Sequence, residues 1–177
     1  MISRTRLECL FDGIFAIAMT ILVLELKVPD LADHHSAVEL LHKLAIYGST
    51  FGSYALSFLI LGMFWYRHNE QHHYCQMVTR SMLAFQLVQL AVAAFFPFCA
   101  ALFGRYPTNH FSQLMYCGCV LVYSWVTQGN WLEGRKRGAL KPDVSTADFL
   151  RLRNRILRSC AAISALFLLV VVQLLAG

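Results

Sequence analysis

Few residues in this chain can do chemistry, and those few are set against apolar sequence. Asp12 and Glu25 stand near the two ends of the run FDGIFAIAMTILVLELKV, residues 11–28, and between Gly13 and Leu24 there is no charge at all. His68 and His72 are four apart, so a helix puts them on one face, a spacing open to a metal or a proton relay. A hydrogen bond from His68 within a helix bundle, with His72 at an interface, is the simpler reading. The chain has no Walker loop, no GxGxxG followed by an acidic residue, no HExxH and no GxSxG. No catalytic constellation assembles, so the sequence reads as a non-enzyme with no cofactor and no metal site.

The element that must position Asp12 and Glu25 is the apolar run itself. Read as a helix, it places Ile17, Ile21 and Leu24 at i, i+4 and i+7 on one face. Gly13, Ala16 and Thr20 form a second stripe of small residues that lets another helix approach closely. A face of branched apolar side chains, a close-packing face and a carboxylate near each mouth are the marks of a pore-lining helix.

Composition gives this helix its setting. Of the 177 residues 58% are hydrophobic and 14% charged, against roughly a quarter charged in soluble chains. The apolar residues fall into five blocks of bilayer-crossing length, about residues 7–28, 44–66, 82–104, 111–131 and 156–176. The predicted fold is all-α, a single membrane domain built as a polytopic helix bundle. The net charge of +5 reads as topology rather than nucleic-acid binding. Arg4 and Arg6, then Arg67 and Arg80, then the cluster from Arg135 to Arg158 fall at alternate connections. This is the positive-inside pattern of a multi-pass protein of the cell membrane with a cytoplasmic N-terminus. Lipid is therefore a partner and nucleic acid is not. Five passes place the C-terminus outside, and the six cysteines are expected as free thiols.

Within the other blocks, Gly48 and Gly52 make a GxxxG helix-packing signal, and Phe64, Trp65 and Tyr66 an aromatic belt. Gln86 and Gln89 suit interhelical hydrogen bonds. Pro29 is expected to end the first helix. Residues 36–43 suit a short amphipathic lead-in, and a basic helix from near Ser145 or Asp148 is expected to run into the last block. Arg4 and Glu8 are spaced to pair. Asp12 needs a partner from a neighbouring helix or subunit, or water.

The run from Arg6 to Thr20 resembles the opening of the transmembrane protein 175 family of potassium channels. That family has an arginine, three residues, Phe-Ser-Asp and then a run like GxFAIAxT. Arg6, Asp12 and Gly13 match, while Leu10 and Phe11 hold the Phe and Ser positions. Trp65 and His68 match the family's Trp-x-x-His-His, with Asn69 in place of the second histidine. Residues 96–104 echo the end of its third helix. Family members in prokaryotes have six membrane helices, and five are visible here.

The resemblance implies a homotetramer with the first helix around a central, potassium-conducting pore. Ile17, Ile21 and Leu24 would form apolar constriction rings, and Thr20 would offer hydroxyls to a partly dehydrated cation. Glu25 and Asp30 would attract cations at the mouth. Arg6, Asp12, Gly13, Trp65 and His68 would serve the helix-packing network. Neither the family nor this chain has a TVGYG filter. Potassium would then be favoured over sodium because the larger ion loses its water more cheaply. The competing function is a proton-coupled transporter using Asp12, Glu25 and His68.

Overall fold

The computed structural model describes residues 4–33 and 35–176. Six α-helices carry the described residues: α1 (Arg4–Ile21), α2 (Ala37–Ile46), α3 (Gly48–Tyr74), α4 (Arg80–Arg105), α5 (His110–Lys136) and α6 (Thr146–Ala176). Among the described residues, Arg4–Glu25, Arg80–Arg105 and Thr146–Leu175 are long and apolar enough to cross a bilayer, and α2 with α3 passes as a pair bent by 59°. The remaining expected span falls on α5, which has the length but turns Ser112, Ser124, Thr127, Gln128 and Asn130 into the protein interior. Those polar side chains are buried among other helices, which keeps them from lipid.

α1 does not run to Pro29 as expected. It tightens into a 3-10 turn over Leu22–Glu25, and Leu26 already leaves helical geometry. The face is preserved through this change, because residues three apart eclipse in a 3-10 turn. Leu24 therefore stays in line with Ile21. The lead-in before the second block is α2, capped by Ser36, whose Oγ accepts from Glu39 N at 3.2 Å. α6 is capped in the same way by Ser145, which accepts from Asp148 N at 3.0 Å. Its 31 residues make a rod of about 46 Å, longer than the roughly 30 Å hydrocarbon layer.

The buried face of α1 is Leu7, Phe11, Phe15, Ala18 and Leu22, and it packs against Leu61 and Phe64 of α3, Ala93 and Phe96 of α4 and Tyr123 of α5. Phe64 stacks on Tyr123 with ring centroids 3.8 Å apart. In lipid such packing, rather than escape from water, holds helices together. The close approach of α3 to α4 does not use the GxxxG. A Cβ added at Gly48 or Gly52 meets nothing within 4 Å, whereas one at Gly104 would lie 3.1 Å from Ser53 Cβ. The contact runs instead along Ser49, Ser53 and Ser57, one helical turn apart. Ser53 donates to Ala100 O at 2.7 Å, Ser49 to Gly104 O at 3.1 Å, and Ser57 meets Tyr116 Oη at 3.0 Å.

A second core lies at the basic end, where Cys75, Met82, Trp131, Leu140, Phe149 and Ile156 come together. Trp131 sits inside this core, stacked on Phe149. Cys75 pairs with Leu140 as an isolated antiparallel bridge, and Arg4 donates to Cys75 O at 2.6 Å. The beginning of α1 and the two basic connections thus share one end of the bundle, as the alternation of charge requires. Arg155 of α6 pairs with Glu70 of α3 at 2.6 Å, and Arg67 donates to Ser159 at 2.7 Å. The basic part of α6 is therefore docked on the bundle.

Candidate functional site

The outward face of α1 follows from the inward one. Apolar residues at 7, 11, 15, 18 and 22, all large but Ala18, turn toward α3, α4 and α5. The helical repeat leaves Gly13, Ala16, Ile17, Thr20 and Ile21 on the other side. Ile17 is 59% exposed, Ile21 42% and Leu24 71%, and a Cβ at Gly13 would meet only open space. One uncovered strip thus carries the three aliphatic residues together with the small ones. Thr20 donates its hydroxyl hydrogen to Ala16 O and Ile17 O, both at 2.9 Å. With its proton held by the helix, the oxygen lone pairs are what Thr20 presents outward.

Asp12 finds its partner on α3. Trp65 Nε1 donates to Asp12 Oδ1 at 2.8 Å. Trp65 is therefore a hydrogen-bonding residue between helices. Both histidines are buried, and the hydrogen bonding expected of His68 belongs to His72. His68 is fully buried and stacks on Phe11 with centroids 3.4 Å apart, and among the described residues neither ring nitrogen has a hydrogen-bond partner. His72 makes the bonds instead. Gln86 Nε2 donates to its Nε2 at 2.9 Å, which leaves Nδ1 as the ring's donor toward Glu8 Oε1 at 3.4 Å. Arg4 Nε donates to that same carboxylate oxygen at 2.8 Å, so Arg4, Glu8, His72 and Gln86 join α1, α3 and α4.

A neighbouring set links α3, α4 and α5. Gln89 donates to Thr127 Oγ1 at 2.8 Å, Gln71 to Thr127 O at 3.0 Å, and Asn130 to Gln71 Oε1 at 3.2 Å. Gln86 and Gln89 act as their sequence suggested. Gln71 was the residue missed, while His72, expected at an interface, is buried and bonded inside the bundle. The readable signal was polar side chains three and four apart on the extension of an apolar helix.

Arg6 is exposed at the start of α1. At the other end Glu25 shares a cleft of ≈ 570 Å³ with Lys27, Tyr47, Thr50, Arg105 and Tyr106. Two cations beside one carboxylate moderate its field. Asp30 is exposed, and its backbone oxygen accepts from Lys43 Nζ. Asp12 and Glu25, 13 residues apart, are separated by about 20 Å along the helix. Asp12 and His68 lie at one end and Glu25 at the other. Among the described residues no group of three or more His, Cys, Asp or Glu side chains is placed to hold a metal.

These features define a multi-pass helical membrane protein whose first helix is packed on one side and uncovered on an uncharged other side. The sequence model described as endosomal/lysosomal potassium channel TMEM175 matches residues 6–97, 92 of the 177. The chain belongs to the TMEM175 family. A potassium channel of Streptomyces collinus is 30% identical over 155 residues, covering 84% of this chain and 74% of that protein. The endosomal/lysosomal proton channel TMEM175 of Rattus norvegicus is 26% identical over 135 residues, 72% of this chain but only 27% of the rat protein. The crystal structure of a lysosomal potassium-selective channel TMEM175 homolog from Chamaesiphon minutus superposes with a TM-score of 0.81. It does so at 22% identity, over 95% of this chain and 86% of that one. The fold is therefore shared across almost the whole chain.

Proposed function

We propose that this protein is a homotetrameric, potassium-permeable cation channel of the cell membrane, its N-terminus in the cytoplasm, with four copies of α1 around the pore. The observation that carries the proposal is the uncovered strip of α1. A lipid-facing strip has no use for the hydroxyl of Thr20, which lies among Ile17, Ile21 and Leu24 there, while Asp12 stands at the flank of the strip, held by Trp65. Around an axis those three side chains form rings. An apolar ring dewets when narrow and stops ions, and a small dilation or rotation wets it. Thr20 oxygens lie one residue from the Ile21 ring and can replace part of a cation's water. Glu25 and Asp30 draw cations to the mouth against the opposing field of Lys27 and Arg105. Arg6, Asp12, Trp65 and His68 set the helix packing behind the pore, while Gly13, uncovered within one subunit, leaves room for a neighbouring copy to approach.

The names of the bacterial relatives agree with potassium as the permeant ion, while the rat relative's name gives protons. Proton-coupled transport through Asp12, Glu25 and His68 is the weaker reading, since roughly 20 Å of helix separates Glu25 from Asp12. The test is bilayer recording with asymmetric potassium and sodium. A cation current whose reversal potential follows potassium, with Ile21→Asn raising the current, supports the channel. Flux that saturates and requires a pH gradient supports the transporter.

A further inference from the structure

We propose that Cys99 and Cys119 form an oxidisable dithiol inside the helix bundle, a modification site at which a membrane-permeant peroxide joins α4 to α5 by a disulfide. The two sulfurs lie 3.2 Å apart on different helices, and both thiols are free. The connection between α4 and α5 is only residues 106–109, so the helices run side by side and antiparallel. A disulfide needs its sulfurs at about 2.05 Å, so closing the bond asks for a movement of roughly 1 Å.

The two cysteines differ in access, and that fixes the order of events. Cys99 is fully buried, while Cys119 is partly exposed. Cys119 is therefore the sulfur that meets hydrogen peroxide. It takes one oxygen to become a sulfenic acid and releases one water. The Cys99 sulfur then attacks the Cys119 sulfur. The sulfur–sulfur bond forms, the hydroxyl leaves, and the Cys99 proton departs with it as a second water. Two thiols and one peroxide give one disulfide and two waters. The sulfurs lose two electrons and the peroxide oxygens gain them. A dithiol reductant reverses the bond.

Cys117 supplies an internal control. It is also partly exposed, but two residues along a helix it points about 200° away. The product staples to α5 the segment of α4 that follows Pro97, the proline inside that helix.

The test treats the full-length protein in lipid nanodiscs with hydrogen peroxide, alkylates the remaining thiols under denaturing conditions, and maps the digest by mass spectrometry. The expected result is the loss of two of the six thiols as one linked peptide pair, Cys99 to Cys119, restored by dithiothreitol. The link persists in Cys117→Ser. In Cys119→Ser it is absent and Cys99 stays alkylatable. The wild-type digest is decisive alone, so a variant that fails to fold leaves the test intact. The proposal is overturned if peroxide that oxidises exposed Cys9 yields no Cys99–Cys119 link. It is equally overturned if Cys119 proceeds to the sulfinic acid unlinked, or if Cys117 is the partner found.

Discussion

The indole N–H of Trp65 reaches Oδ1 of Asp12 across 2.8 Å, tying α3 to the helix that carries the proposed pore face. This bond holds a carboxylate at the membrane boundary, where an unpartnered one is costly. A double-mutant cycle of Trp65→Phe and Asp12→Ala is expected to give a coupling of about 0.5–1.5 kcal/mol, the range for interhelical hydrogen bonds in membranes. Steric-trap unfolding in bicelles measures it. A coupling near zero would mean that the pair does not hold these helices.

The close approach of α4 to α3 should be sensitive at one glycine and not at another. Gly104→Ala sets a methyl 3.1 Å from Ser53 Cβ and 3.3 Å from Thr50 Cα, with backbone on one side unable to yield. A loss of roughly 1–3 kcal/mol is expected. Gly52→Ala enters open space within the subunit and should leave subunit stability unchanged or slightly raised. Thermal unfolding of the two variants compares them.

Gln86→Leu leaves His72 Nε2 buried without its donor. Loss of such a partner costs about 1–3 kcal/mol, read as a lowered unfolding midpoint. The more informative variant is Gln89→Leu, which removes the donor to Thr127 Oγ1 but leaves that hydroxyl bonded to Tyr123 O, so a smaller loss is expected. If the two polar sets are independent, the effects add.

Much of the bundle was legible in the residues. Five apolar blocks fell on α1, α3, α4, α5 and α6, because continuous apolar runs of that length have few other uses. The pairing of Arg4 with Glu8 and the roles of Gln86 and Gln89 followed from spacing. What was illegible depended on which face of a helix meets which neighbour. Gly48 and Gly52 carry a packing signal, yet the serine row beside them makes the contact, because hydroxyls there reach α4 carbonyls. His68 and His72 share a face in sequence, and only the position of Phe11 and Gln86 decides which ring stacks and which bonds. The early end of α1 turns on a local tightening that periodicity does not register. The strip of Ile17, Ile21 and Leu24 was legible, but its exposure required the packing of the opposite face.

Cys75 gives a pH-dependent reporter of the basic end. Burial pushes its thiol up to about 11, although Arg4 and Lys141 pull the other way. In the folded protein its alkylation by iodoacetamide should be far slower than that of exposed Cys9 at pH 8, rising only as pH approaches about 11. Arg4→Ala removes the donor to its carbonyl and loosens this end, so labelling at pH 8 should quicken. Peptide mapping after timed labelling checks both.

The most direct measurement of the central claim introduces single cysteines at Ile17, Ile21 and Leu24 in a Cys9→Ser background and applies a charged methanethiosulfonate reagent during recording. Leu59→Cys on α3 serves as the control, since Leu59 is 66% exposed but lies away from the α1 strip. Current lost on modification at 17, 21 and 24, and retained at 59, is the predicted result. Full current after modification at the three α1 positions, or equal loss at 59, would contradict a pore lined by the first helix.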